Sequence, residues 1–249
     1  MPSDQLRASL FANIDAAPVR SQPFDHLYFE DLIFRDSYAE LLASLPRLNK
    51  YREWRRADAL GPDGHSTRRR LFLHPEHLVW LPRRQRRFWR QLSGVLYSDE
   101  LQTIFKNKFR TTLRRRLGPD ADQLRLIPRA MLLRDLGGYQ IATHPDTPQK
   151  AITVQFYFPR DESQITLGTH FHPCEQGAAA PHSIALPFKP ASGYAFAVHE
   201  SSWHSVPQLG KNIGQRDSLQ LNYYIPKPDL IARLRRERLE AFGSLLNAE

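Results

Sequence analysis

GGYQIATHPDTPQKAITVQFYF, residues 137–158, is the stretch on which the reading of this chain turns. Its second half is a short apolar run of β-branched and aromatic residues, the composition of a β-strand. Its centre, His144-Pro145-Asp146, is the only H-x-D in the sequence. Residues i and i+2 of an extended segment point to the same face, so both side chains can reach one ion. Pro145 suits a strand end, where its missing N–H does no harm.

Working outward, runs of the same texture recur from about residue 124: RLIPRAMLLRDL (125–136), GYAFAV (193–198) and DSLQLNYYI (217–225), separated by turn-prone stretches. Regularly recurring short strands argue for a sandwich or barrel rather than alternating βαβ units. Before them, FDHLYFEDLIFRDSYAELLASLP (24–46) reads as a short strand and an amphipathic helix, with Asp36 able to cap it and Pro46 at its end. Residues 47–78 are polar, carry the Gly-Pro-Asp-Gly run at 61–64, and read as a loop. Segments 79–94 and 97–117 have helix-compatible spacing, the second closed by Gly118-Pro119. After Pro226 and Pro228 the tail reads as a helix with Asp229 at its N-cap. The expected class is α+β with a mainly β core, in one domain over 1–249: a mainly helical part at 1–120, the β core at 121–226 and a C-terminal helix at 227–249.

Composition bounds the function. At 249 residues and 41% hydrophobic, the chain can bury one large core. No stretch approaches the ~20 apolar residues that span a bilayer, and the N-terminus has no apolar block of the secretory kind. Cys174, the single cysteine, has no internal partner. The expectation is a cytoplasmic protein without membrane contact. Lys and Arg outnumber Asp and Glu by 35 to 26, and eleven arginines fall between Arg52 and Arg90; such a field favours anionic partners, a solvated helix face being the competing reading. P-loop, Rossmann and nucleophile-elbow motifs are absent.

An H-x-D pair needs a third ligand. His204, just after the GYAFAV run, is placed for the chain to carry it back, and Arg216-Asp217-Ser218 follows twelve residues later. Two His and one carboxylate on one face of a metal, with open positions opposite, is the pattern of non-haem Fe(II) oxygenases, and a buried Arg beside a hydroxyl suits a carboxylate co-substrate. His74-Pro75-Glu76 has the same spacing but sits beside an Arg-rich helix and reads as a turn. His170 and His172 share a strand face and could also hold a metal, or could simply be paired on the sheet.

The order strand, H-x-D, strand, Gly-Thr, strand, His, R-x-S resembles the 2-oxoglutarate/Fe(II)-dependent dioxygenases over about residues 129–225, and FDHLYFEDLIF resembles the entry segment of their core. The resemblance implies a double-stranded β-helix of the jelly-roll type, with His144, Asp146 and His204 as iron ligands. It makes Arg216 the partner of the far carboxylate of 2-oxoglutarate, Ser218 the serine of R-x-S, and Tyr157 a contact to the same carboxylate. Leu167-Gly168-Thr169 fits the Gly-Thr step. The His204–Arg216 spacing implies a small turn insertion around 209–214; were that a strand, Lys211 would replace Arg216. Residues 170–185 match nothing in the pattern and are expected as a loop over the site. The cofactors implied are Fe(II), 2-oxoglutarate and O2, with release of succinate and CO2. Asp146 implies hydroxylation or desaturation, because related halogenases carry a small residue there. The expected substrate is a small anionic metabolite or amino-acid derivative, or a carrier-tethered or protein side chain. Nucleic acid is disfavoured, since SLQLNYYIP lacks the second arginine of the demethylases. The alternative class is a non-catalytic basic jelly-roll binding module.

Overall fold

The computed structural model describes residues 3–55, 59–61 and 63–246; Pro62 of the 61–64 turn lies outside them. In chain order the elements are α1 (Ser3–Ala16), β1 (His26–Phe29), α2 (Arg35–Ala43), β2 (Arg52–Glu53), β3 (Arg68–Phe72), α3 (Pro75–Leu78), α4 (Arg83–Leu96), α5 (Asp99–Lys108) and α6 (Arg110–Leu117). There follow β4 (Ile127–Asp135), β5 (Ile141–His144), β6 (Lys150–Tyr157), β7 (His170–His172), β8 (Cys174–Glu175), β9 (Ala178–Ala179), β10 (Ile184–Ala185), β11 (Gly193–Ala197), β12 (Trp203–Val206), β13 (Arg216–Tyr224) and α7 (Pro228–Leu246).

Every pairing is antiparallel. A larger sheet runs β1-β11-β6-β13-β4-β3-β2 and a smaller one β10-β7-β12-β5, with β8-β9 as a separate ribbon. The strand alternation sorts the larger sheet into two chemistries. One face carries Leu71, Ala130, Leu132, Ile152, Val154, Phe156, Ala195, Leu219, Leu221 and Tyr223, buried in the main core. Onto that face pack α1, α4, α5 and α6 through Leu10, Ile14, Phe88, Trp89, Leu92, Leu101, Phe105 and Leu113. Trp89 is fully buried and its indole N–H donates to Ser44 O at 2.7 Å, satisfying the one polar atom of the ring. The other face is polar, with Arg68, Arg70, Arg129, Gln155, Arg216, Gln220 and Asn222 lining a cavity.

Several expectations are corrected. The stretch 47–78 is not a plain loop: β2, β3 and α3 lie in it. Arg68 and Arg70 make β3 look like solvated chain, yet they face the cavity, so its polarity belongs to the site and not to solvent. The segment 97–117 is two helices, parted at Phe109, and Gly118 ends the second at φ +96°. Asp36 lies inside the first turn of α2 rather than at its cap, where a carboxylate still complements the positive end of the helix dipole. Residues 170–185 carry β7, β8, β9 and β10, with β7 central in the smaller sheet. β1 and β3, from the first 120 residues, pair directly with β11 and β4.

Candidate metal centre

β5 and β12 pair so that His144 lies opposite His204, with ring centroids 4.4 Å apart. Asp146 follows two residues beyond His144, and one ligand atom from each of the three lies within 4.8 Å of the others. Each imidazole is oriented by its own strand: His144 Nδ1 is 2.9 Å from Ala142 O and His204 Nδ1 is 3.0 Å from Ser202 O. A carbonyl can only accept, so the proton sits on Nδ1 and the Nε2 lone pair is left for a ligand. Burial, with His144 adding to it, pulls His204 down to about 4 despite the opposing charge of Asp146, so the ring is neutral near pH 7. Burial pushes the Asp146 carboxyl up. Lys150 and His204, with hydrogen bonds from Lys150 and Thr153, outweigh this and hold it well below the usual carboxylate range. Lys150 Nζ and the Thr153 hydroxyl each donate to Asp146 at 2.5 Å. Two imidazoles and a carboxylate are a donor set of nitrogen and oxygen that fits Fe(II). The sequence reading missed Lys150 and Thr153; their i+4 and i+7 spacing from Asp146 gives no signal until β6 turns back beside the loop.

Arg216 opens β13 and is 1% exposed. The 207–215 stretch is not a strand, so the inserted residues form a turn; Arg216 faces inward and Lys211 is exposed. Its guanidinium donates from Nη1 to Asp135 Oδ2 and from Nε to Leu167 O, each at 2.7 Å, and lies over the Phe188 ring at 4.6 Å. Arg68 grips the same buried Asp135, from Nε at 2.6 Å and from Nη2 at 3.0 Å. Two guanidiniums thus share one carboxylate, and Arg216 lines the cavity where its planar fork suits an incoming carboxylate. On the opposite face Arg134 and Asp217 pair one to one, with bonds of 2.7 and 3.1 Å.

Tyr157 and Ser218 stand opposite each other across β6 and β13. The Tyr157 hydroxyl donates to Thr169 Oγ1 and accepts from Thr169 N, both at 3.0 Å, while Ser218 Oγ is buried without a partner. At the cavity wall stand Thr169 and Tyr194. Gly168 permits this arrangement, because a Cβ there would lie 1.6 Å from Leu186 O. His170 and His172 are engaged by Ser183 and Ser205 hydroxyls at 2.9 and 2.8 Å. In the other H-x-acid triplet, His74 precedes α3 and Glu76 is ion-paired with Arg238 at 2.6 Å.

His144, Asp146, His204 and Arg216 line one cavity of about 340 Å³. Its described lining includes Arg68, Arg70, Arg129, Lys150, Arg216 and Arg233, with Asp146 and Glu237 as its acidic members, so cationic side chains predominate among the described residues that face it.

No protein-family model matches the sequence, and no curated protein does either. Among solved structures the chain is similar to a prolyl-4-hydroxylase from Pseudomonas putida. The TM-score is 0.53 at 10% identity, over 89% of this chain and all of that one. It is also similar to an oxidoreductase of the 2OG-Fe(II) oxygenase family from Burkholderia pseudomallei, with a TM-score of 0.50 at 14% identity over 90% of each chain. The fold is that of the 2-oxoglutarate–Fe(II) oxygenases. In this fold His144 and His204 stand on the smaller sheet and Arg216 on the larger, facing one cavity. No helix among the described residues is long and apolar enough to cross a membrane.

Proposed function

We propose that the chain is an Fe(II)/2-oxoglutarate-dependent oxygenase that hydroxylates an unactivated C–H of a small anionic molecule. One observation carries the reading: a His-Asp-His set with both Nε2 atoms free for ligation and a buried arginine lining the same cavity. Fe(II), with 2-oxoglutarate and O2, would supply the oxidising power, converting the keto acid to succinate and CO2 as one oxygen atom enters the substrate. His144 and His204 would hold the metal through Nε2, their orientation set by the backbone carbonyls behind them. Asp146 would be the anionic ligand, with Lys150 and Thr153 fixing its carboxylate. Arg216 would take the far carboxylate of the keto acid, its guanidinium held in place by Asp135 and the Leu167 carbonyl. Phe188, Tyr194 and Phe196 wall this region with apolar surface and exclude water from it.

The cationic lining is what supports an anionic substrate. Of the Arg-rich 52–90 segment, Arg68 and Arg70 face the cavity, while Arg83, Arg84, Arg87 and Arg90 lie exposed on α4, on the far side of the larger sheet. The test is succinate release from 2-oxoglutarate by Fe(II)-loaded protein in air. The reading expects slow uncoupled release from the wild type and none above background from His144→Ala. Equal release from both would sink it.

A further inference from the structure

Beyond the residues that would hold iron and keto acid, one end of the cavity is built from groups the proposed chemistry does not use. Arg70 reaches it from β3, Arg129 from β4, and Arg233 and Glu237 from α7, with Trp54 and Tyr224 alongside. The Phe72 ring is flanked by both inner arginines, the guanidinium carbon of Arg129 at 4.1 Å and that of Arg70 at 5.0 Å. Arg70 also lies over Trp54 at 4.8 Å. Arg129 is 8% exposed, its Nη2 donates to Glu237, and its Nε is buried with no hydrogen-bond partner. A buried guanidinium N–H left unpaired costs free energy that an arriving acceptor would recover.

This end is separate from Arg216. Along β13 the residues opposite Asp135 and Arg129 are Arg216 and Asn222, six positions or about 20 Å apart. It is level with the metal centre instead: Asn222 also pairs with Thr153, the residue that donates to Asp146. Arg129 lies two strands from Thr153, about 10 Å across the sheet. An anion seated on Arg129 would therefore present a carbon a few bonds away to the metal.

We propose that Arg70, Arg129 and Arg233 form the subsite for a carboxylate or phosphate group of the oxidised substrate, and that Glu237 of α7 keeps the seat in its absence. The assignment deepens the oxygenase reading and rests on it for the word substrate. Arg129 and Arg233 line this end of the cavity with Glu237, which already accepts from Arg129 Nη2 and leaves Arg129 Nε unmatched. Trp54 offers an aromatic wall to the group that bears the anion.

The test is calorimetric titration of the metal-free protein with phenyl phosphate, benzoate and neutral benzamide. Neither iron nor keto acid is needed, so this outcome is independent of the succinate assay. The two anions are expected to bind and benzamide not. Arg129→Met and Arg233→Met should each weaken anion binding by about tenfold, and Glu237→Gln should tighten it several-fold. Arg233 is exposed, so its variant keeps the test valid if Arg129→Met does not fold. Tighter phenyl phosphate would assign a phosphorylated substrate and tighter benzoate a carboxylic acid, either supporting the subsite. Absence of binding, equal binding of benzamide, or unchanged binding in both Arg129→Met and Arg233→Met would overturn it. An unchanged Glu237→Gln would overturn the role of Glu237.

Discussion

Asp135 organises the arginine side of the cavity. It is fully buried and accepts from Arg68 and Arg216 together, so removing its charge would take the same ion-pair partner from both guanidiniums. Breaking a buried pair in this way costs about 3–5 kcal/mol, and Asp135→Asn is expected to lose stability on that scale in urea unfolding. Arg216→Lys keeps a charge but gives up the planar fork. The expected result is a rise of about tenfold in the 2-oxoglutarate concentration needed for half-maximal succinate release, with metal affinity unchanged. At this scale the sequence is a good guide to residues whose chemistry repeats at short range. His144 and Asp146 are two apart on an extended segment, and their joint direction follows from strand geometry alone. Asp135 and Arg68 are 67 residues apart in the chain and meet only because β3 lies beside β4. Nothing local marks either one.

Among the elements, legibility follows burial. β4, β6, β11 and β13 are covered on both faces by core or cavity, and their long apolar runs stand out in the sequence. β3 was hidden because its cavity-facing positions are arginines, which read as solvent-facing until the anionic partner Asp135 is seen. Helix α6 holds a less obvious contribution in Arg116. It donates to the carbonyls of Pro148 at 2.5 Å and Lys150 at 2.7 Å, and to that of Val198. Those carbonyls lie just after Asp146 and at the end of β11, on the way to His204, so one side chain ties together the two segments that carry the ligands. Arg116→Met should weaken Fe(II) binding about tenfold, measured by competition with a chelator. A purely structural role would lower the melting temperature and leave metal affinity alone.

For the whole molecule, the two sheets of the jelly roll place the triad on the smaller sheet and its adjoining loop, and Arg216 on the larger. The site therefore depends on the sheets staying together. His26, His74, His77, His170 and His199 are all held below the ordinary histidine value, first by burial; His74 and His77, the residues flanking Glu76, reach about 4. In the unfolded chain these rings protonate near 6.5, so the unfolded state binds more protons below that pH. Stability is expected to be full above about pH 6.5 and to fall as the pH drops toward 4, with His74→Gln flattening part of the loss in denaturant titrations. The central claim, that triad and arginine form one iron and keto-acid site, has a direct test. Fe(II) and 2-oxoglutarate are added anaerobically to the metal-free protein, and the weak visible charge-transfer band of a chelated keto acid is recorded. The account predicts the band in wild type and its absence in His204→Ala; bound Fe(II) with no band, or a band that survives the substitution, would contradict it.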